Sequence, residues 1–350
     1  MTEKFSPKEL GKLGVMPRAH LFTGETPLED MPNLSSRYGG ARLLVKRDDC
    51  TGLAFGGNKV RQLEFYLGQA VHEGADTVLI TGAVQSNFAR LAAAGARKLG
   101  LECHIQLEER VAKNDPLYKS SGNVLLEKLL GAELHSYPEG EDEEGADRQL
   151  GEIAEGLRAE GRKPYIIPLA PGHAPLGALG YVVMAAELLR QFEEMEVGPD
   201  EIVVPSGSGA THGGFLFGLR ALGSKVPVRG ICVRRAANLQ APRIAQRCTE
   251  IADLLGVAPP VDEADVIVDD DFLAPGYGRA GDVTNKAIIE GARQEGLMLD
   301  PTYTGKTFAG FLDRAQKASP GATLVFVHTG GTPAIFAYQV DLEAALDASI

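Results

Sequence analysis

A chain of 350 residues is long enough for two hydrophobic cores, and 44% hydrophobic with 23% charged residues is ordinary globular composition. The formal net charge of −12 argues against a nucleic-acid backbone as partner, while leaving room for a small anion in a local positive pocket. No apolar stretch approaches the roughly 18 residues of a spanning helix and MTEKFSPKELGK has no signal-like core, so the expectation is a cytoplasmic protein with no membrane partner.

Short β-branched runs alternate with helical patterns from residue 42 onward. Residues 42–46 (RLLVK) read as a strand, and 58–71 as a helix with Val60, Leu63, Leu67 and Ala70 near 3.6 spacing. Strands are predicted at 77–81 (TVLIT), 102–107, 133–137 and 165–167, with helices at 87–99, 124–130, 148–159 and 176–194. The acidic run 139–144 reads as a solvated loop. In the second half, strands are predicted at 201–205 (EIVVP), 228–233 (VRGICV), 265–268 and 323–327 (TLVFV), with helices between them.

This rhythm predicts an α/β chain of two open parallel sheets with helices on both faces. One domain is expected from residues 1–59 and 176–350 and a smaller one from 60–175, with the site in the cleft between them. Ligands of such sheets bind beyond the carboxyl ends of strands. That rule singles out 82–87, 206–211 and 328–332, each following a strand, preceding a helix and rich in Gly, Ser, Thr or Asn. The cysteines (Cys50, Cys103, Cys232, Cys248) form no CxxC pair and the seven histidines show no ligand spacing, so free thiols and no metal are expected.

Five segments carry candidate chemistry. In Gly56-Gly57-Asn58-Lys59, two glycines let the backbone approach a planar ligand. Lys59 then falls on the first helical turn, where the positive helix end lowers its pKa and favours the uncharged amine that attacks a carbonyl. The same turn also reads as plain surface punctuation. In Ser206-Gly207-Ser208-Gly209-Ala210-Thr211, small residues before a helix make an anion cradle without a basic side chain, or a turn that binds nothing. In Gln85-Ser86-Asn87, the Asn amide is a donor for a ring oxygen, and Ser86 is a helix cap, a nucleophile or a proton relay. Tyr303 and Lys306 of DPTYTGK read individually as packing and as a solvated surface charge, and HTGGT closes the set.

Taken in order, the segments TPL (26–28), VKRDD (45–49), GGNKVRQLEF (56–65), GAVQSN (82–87), PLGALGY (175–181), SGSGATHGG (206–214), DDDFLAPGYG (269–278), DPTYTGK (300–306) and HTGGTPAIFAY (328–338) resemble the D-cysteine desulfhydrase and 1-aminocyclopropane-1-carboxylate (ACC) deaminase family. That family belongs to the fold-type II, tryptophan synthase β-like enzymes that use pyridoxal 5'-phosphate. The resemblance implies that Lys59 binds the cofactor, Asn87 meets its ring oxygen and Gly207, Ser208, Gly209, Ala210 and Thr211 cradle its phosphate. It implies that Ser86 and Tyr303 act as acid-base partners, and that Thr304 meets the pyridine nitrogen where ACC deaminases carry glutamate. It implies a small amino-acid substrate held by Ser86, Asn87, Phe88 and Tyr303, and a homodimer. The hydroxyl of Thr304 supports a pyridinium charge less well than a carboxylate, which favours elimination of a good β leaving group over ring opening. Phe88 stands where relatives carry His or Gln, and 170–175 (APGHAP) replaces a GGSN-like segment and brings His173 toward the site. Expected activities are therefore D-cysteine desulfhydrase-like lyase chemistry, with L-cysteate sulfo-lyase or ACC deaminase as alternatives within the family. The rival classes are a nucleotide-dependent α/β enzyme and a non-catalytic amino-acid- or cofactor-binding protein.

Overall fold

The computed structural model describes residues 10–140, 142–169 and 172–348. Its strands are β1 (Leu28–Asp30), β2 (Arg42–Lys46), β3 (Thr77–Ala83), β4 (Glu102–Glu108), β5 (Glu133–Tyr137), β6 (Pro164–Ile167), β7 (Glu201–Ser206), β8 (Val228–Cys232), β9 (Ile267–Asp269) and β10 (Thr323–Val327). They form a six-stranded sheet in the order β1-β2-β10-β7-β8-β9 and a four-stranded sheet in the order β5-β4-β3-β6. Every pairing is parallel except β1 with β2. The two-sheet α/β expectation therefore holds, with a short antiparallel edge strand that three residues of LED could not announce.

Alternation along the strands of the larger sheet sends side chains to two separate helical layers. Leu44, Ile202, Val204, Val325 and Val327 pack with Tyr181 and Phe215 of the Leu179–Glu194 and Ala210–Ala221 helices. Leu43, Val45, Val203, Leu324 and Phe326 face the other way, onto Phe308 and Phe311 of the Thr304–Lys317 helix. In the smaller sheet, Val78, Ile80, Cys103 and Ile105 pack against the Lys59–His72 and Asn87–Lys98 helices. Leu79 faces Leu150 and Ala154 of the Glu143–Ala159 helix. Each buried aliphatic or aromatic side chain contributes about 1.5–3 kcal/mol, so these layers hold the strand ends that carry the site.

The acidic run departs from expectation. A helix begins at Glu143, five residues before the predicted start, because the Asp142 carboxylate accepts the Gly145 N–H at 2.9 Å. Glu143 is half-buried and pairs with Arg234 (2.7 Å) and Arg235 (3.3 Å) beyond β8. Strand register also creates a histidine pair that sequence spacing hides: β4 and β5 bring His104 Nδ1 within 3.0 Å of His135 Nε2, beside Glu133. Among the described residues, no helix is long and apolar enough to cross a membrane, and all four cysteines are free.

Candidate active site

The ends of β3, β7 and β10 open onto one cavity, which brings together residues more than 200 positions apart. Lys59, Ser86, Asn87, Phe88, Gly207, Ser208, Gly209, Thr211 and Tyr303 all line it. Ala210, the first residue of its helix, and Thr304 do not.

Lys59 opens the Lys59–His72 helix after a run of left-handed backbone: Ala54 (φ 41°), Phe55 (69°), Gly56 (63°) and Gly57 (125°). Glycine is required at 56, where a Cβ would stand 2.0 Å from the Asp49 carbonyl oxygen. Gly57 and Asn58 are pinned by Gly57 N–H to Thr51 Oγ1 (2.8 Å) and Asn58 N–H to the Thr329 carbonyl (2.9 Å). Lys59 Nζ lies 3.1 Å from Gln62 Oε1 and 5.0 Å from the centre of the Phe88 ring. Burial lowers its pKa from 10.5 to about 8, so about a tenth of the amine is uncharged at pH 7, far more than for an ordinary lysine.

The 207–211 turn faces that amine. Gly209 has φ 97° and caps the Ala210–Ala221 helix. Among the described residues, the backbone N–H groups of 207–211 have no partner, which leaves a set of orphan donors at a helix N-terminus. Thr211 Oγ1 accepts from Asn58 Nδ2 (2.8 Å) and Gln62 Nε2 (2.9 Å), so its own hydrogen is free to join that set. The same two bonds tie the Lys59 helix to the turn. The arrangement fits a phosphorylated aldehyde: donors for the phosphate at one end, a partly uncharged lysine at the other.

Ser86 caps the Asn87–Lys98 helix, its Oγ accepting from Ala89 N–H (3.1 Å), so the capping role is realised while the residue lines the cavity. The Ser86 N–H donates to the Ala83 carbonyl (2.8 Å). Among the described residues, Asn87 and Phe88 are then the two of 86–88 whose N–H groups have no partner and can meet a carboxylate.

Tyr303 precedes the Thr304–Lys317 helix, and its hydroxyl meets that of Tyr277 at 2.5 Å. Burial, with Tyr277 and Asp300 nearby, raises the Tyr303 phenol well above its ordinary value and keeps it protonated. Thr304 Oγ1 donates to Asp300 Oδ1 (2.7 Å) and accepts from Asp300 N–H (2.7 Å). It is fully buried, and Asp300 is the group of this pair on the cavity wall. Burial raises the Asp300 carboxyl despite hydrogen bonds from residues 302–304. Lys306 is not a surface charge: it is fully buried, with Nζ on the carbonyls of Leu273 (2.5 Å) and Gly276 (2.8 Å). His173 is exposed and does not line the cavity, while Ala170 and Pro171 lie outside the described residues.

Among the polar wall residues, Arg110, Arg234, Tyr277 and Asp300 were given no role by sequence reasoning. The segments DDDFLAPGYG and DPTYTGK contain two of them, but the arginines follow strands without a motif to mark them.

The model for the family described as "Pyridoxal-phosphate dependent enzyme" matches residues 20–330. D-cysteine desulfhydrases of Salmonella schwarzengrund (strain CVM19633) and Salmonella typhi are each 41% identical to the chain over 325 residues, covering 92% of it and 96% of each relative. The crystal structure of an ACC deaminase homologue superposes with a TM-score of 0.87 at 39% identity, covering 99% of this chain and 100% of that one. A hydrogen sulfide-producing enzyme from Fusobacterium nucleatum, at 16% identity and a TM-score of 0.61 over 88% of this chain and 96% of that one, shares the fold.

Proposed function

The chain belongs to the pyridoxal-phosphate dependent enzyme family, and on that premise we propose that it eliminates the β substituent of a small amino acid, releasing a keto acid, ammonia and a leaving group such as sulfide. The observation that carries the reading is the facing pair: a lysine amine lowered to about 8, tied through Asn58 and Gln62 to a turn of orphan N–H donors. Family membership makes the chain a pyridoxal-phosphate dependent lyase and sets aside the nucleotide-dependent and non-catalytic rivals.

Lys59 would hold the cofactor's aldehyde carbon, Asn87 its ring oxygen and residues 207–211 its phosphate. When bound, pyridoxal phosphate supplies the electron sink that stabilises negative charge at the substrate Cα. The Lys59 amine would also be the base that takes the Cα proton. The N–H groups of Asn87 and Phe88 hold the substrate carboxylate. Tyr303, kept protonated and oriented by Tyr277, gives a proton to the departing β group, with Ser86 as the other acid on the wall. The released 2-aminoacrylate hydrolyses to pyruvate and ammonia. Thr304 remains the family's candidate for the ring nitrogen; its bond to Asp300 supports a role exerted with that carboxyl.

One observation favours a second leaving group. Arg110 and Arg234 line the same cavity, and among the described residues each has one carboxylate within salt-bridge distance, Glu108 and Glu143 respectively. Their remaining N–H groups suit an anionic β substituent such as the sulfonate of L-cysteate, which leaves as sulfite. A panel of D- and L-cysteine, L-cysteate, β-chloroalanine and ACC, scored for keto acid and for sulfide or sulfite, ranks these substrates. Lys59→Ala is expected to lose both turnover and the borohydride-trapped cofactor adduct; an adduct that survives the substitution removes the assignment.

The supporting grounds for a cytoplasmic setting are the free thiols, three of them buried. For a homodimer they are the exposed Leu129, Phe336 and Val340 on neighbouring helices.

A further inference from the structure

Arg90 is fully buried on the Asn87–Lys98 helix and takes no part in the chemistry proposed above. Its Nε donates to Asn123 Oδ1 (2.8 Å), and its two terminal nitrogens reach the carbonyls of Ala54 and Gly56, the latter at 3.3 and 3.2 Å. Those carbonyls belong to the left-handed run that delivers Lys59. Asn123 Nδ2 donates in turn to Asn87 Oδ1 (3.0 Å) and to the Gln85 carbonyl (3.1 Å).

The direction of this chain is forced. Arginine has no acceptor, so the atom of Asn123 that faces Arg90 must be its oxygen. The Asn123 amide nitrogen must then face Asn87, and a nitrogen donor demands the Asn87 oxygen. Asn87 is left with Nδ2 as the end available to the cavity it lines. A longer contact from Arg90 to Asn87 Oδ1 (3.5 Å) points the same way.

We infer that Arg90 and Asn123 are positioning residues that lock the Asn87 amide with its donor toward the cofactor's ring oxygen, and that the same guanidinium holds the Lys59 loop in register with it. One buried cation thus sets the relative placement of the two groups that would meet neighbouring substituents of the ring. The inference rests on the cofactor reading for its function, although the amide orientation stands apart from it.

The near-isosteric Asn123→Asp tests it. The variant keeps an oxygen for Arg90 but replaces the donor toward Asn87 with an acceptor, so the Asn87 amide should turn over and present Oδ1 to the ring oxygen. Holoenzyme of the variant is expected to show a shifted visible band and cofactor affinity about tenfold weaker than wild type. In an Asn87→Ala background, Asn123→Asp should change neither quantity further. Arg90→Met, which removes the donor that fixes the Asn123 oxygen and so frees Asn123 to turn, should reproduce the shift if Asn123→Asp does not fold. An unchanged band and affinity in the single variants, or effects that add in the Asn87→Ala background, would overturn the positioning role. A wild-type chain that develops no visible band with pyridoxal phosphate would instead remove the cofactor reading. Hydrogen exchange of the Asn87 side-chain amide in the apo chain then decides the orientation: fast in wild type and protected in Asn123→Asp supports it, and equal protection overturns it.

Discussion

Lys59 keeps its amine where charge is disfavoured. No carboxylate pairs with it among the described residues; its hydrogen-bond partner is the neutral Gln62, and an aromatic ring stands 5.0 Å away. Burial lowers its pKa, at the first position of the helix where its place in the sequence put it. The consequence is measurable on the apo chain. Because the neutral amine is the attacking form, the rate of cofactor capture at constant cofactor ionisation should rise with pH through about 8 and then level off. A rate still climbing toward 10.5 in stopped-flow absorbance would mean an unperturbed lysine. Lys59 was legible in the sequence because two glycines and a helix start sit beside it. Asp300 was not legible as a wall residue, because the side chain that reaches the cavity depends on which of Asp300 and Thr304 caps the turn. Three backbone N–H groups from residues 302–304 settle that for Asp300.

Between residue and domain lies the loop that carries Tyr277. It has no helix or strand of its own, and Lys306, reaching across from the Thr304–Lys317 helix, supplies donors to its carbonyls at Leu273, Ala274 and Gly276. With no carboxylate on this ammonium among the described residues, burial lowers it to about 8. Lys306→Met keeps the aliphatic stem and removes the donors; the Leu273 and Gly276 carbonyls keep the N–H groups of Gly276 (3.0 Å) and Arg279 (3.3 Å), while that of Ala274 loses its partner among the described residues, at about 1–3 kcal/mol of stability. Tyr277 then loses its fixed distance to Tyr303. The expected result is a lowered kcat with cofactor affinity near wild type, measured by keto-acid release and by cofactor titration. Equal losses in both would mean general unfolding instead. At this scale the sequence reads well where a hydrophobic period is long: β2, β5 and β10 begin and end where RLLVK, ELHSY and TLVFV predict. It reads poorly where a side-chain cap or a tertiary ion pair decides, as for the helix that starts at Glu143 under the Asp142 cap and docks on Arg234. The arginines of the cavity wall share that difficulty, since their partners Glu108 and Glu143 become neighbours only after both sheets form.

Across the whole molecule, the Lys59 helix is held between the two sheets by a buried charge network. Arg61 donates to both oxygens of Asp48 (3.0 Å each) and of Glu187 (2.8 and 2.9 Å). Lys46 pairs with Glu187 (2.5 Å), and Tyr181 donates to Asp48 (2.6 Å). These residues come from β2, the following turn, the Lys59–His72 helix and the Leu179–Glu194 helix. Gly180 lets the two helices touch, since a Cβ there would stand 2.2 Å from the Arg61 carbonyl oxygen. Burial alone would raise the Asp48 carboxyl, but Arg61, Lys46 and Tyr181 outweigh it and hold the group below its ordinary 3.8. Glu187 is likewise held below 4.5 by Arg61 and Lys46 against burial. Both carboxylates therefore contribute stability that is fully present above those ordinary values and is lost as pH falls through the lower folded ones. Asp48→Asn removes one charge and leaves Arg61 undercompensated, at a cost of about 3–5 kcal/mol. Urea unfolding at neutral pH should show that loss. Repeated at pH 3, it should show a smaller gap between variant and wild type, because below 3.8 the unfolded wild-type chain takes up a proton at Asp48 and the stability that its charge contributes declines. A gap that stays constant between the two pH values would mean that Asp48 acts through shape and neutral hydrogen bonds, and that its charge does not hold the Lys59 helix in place.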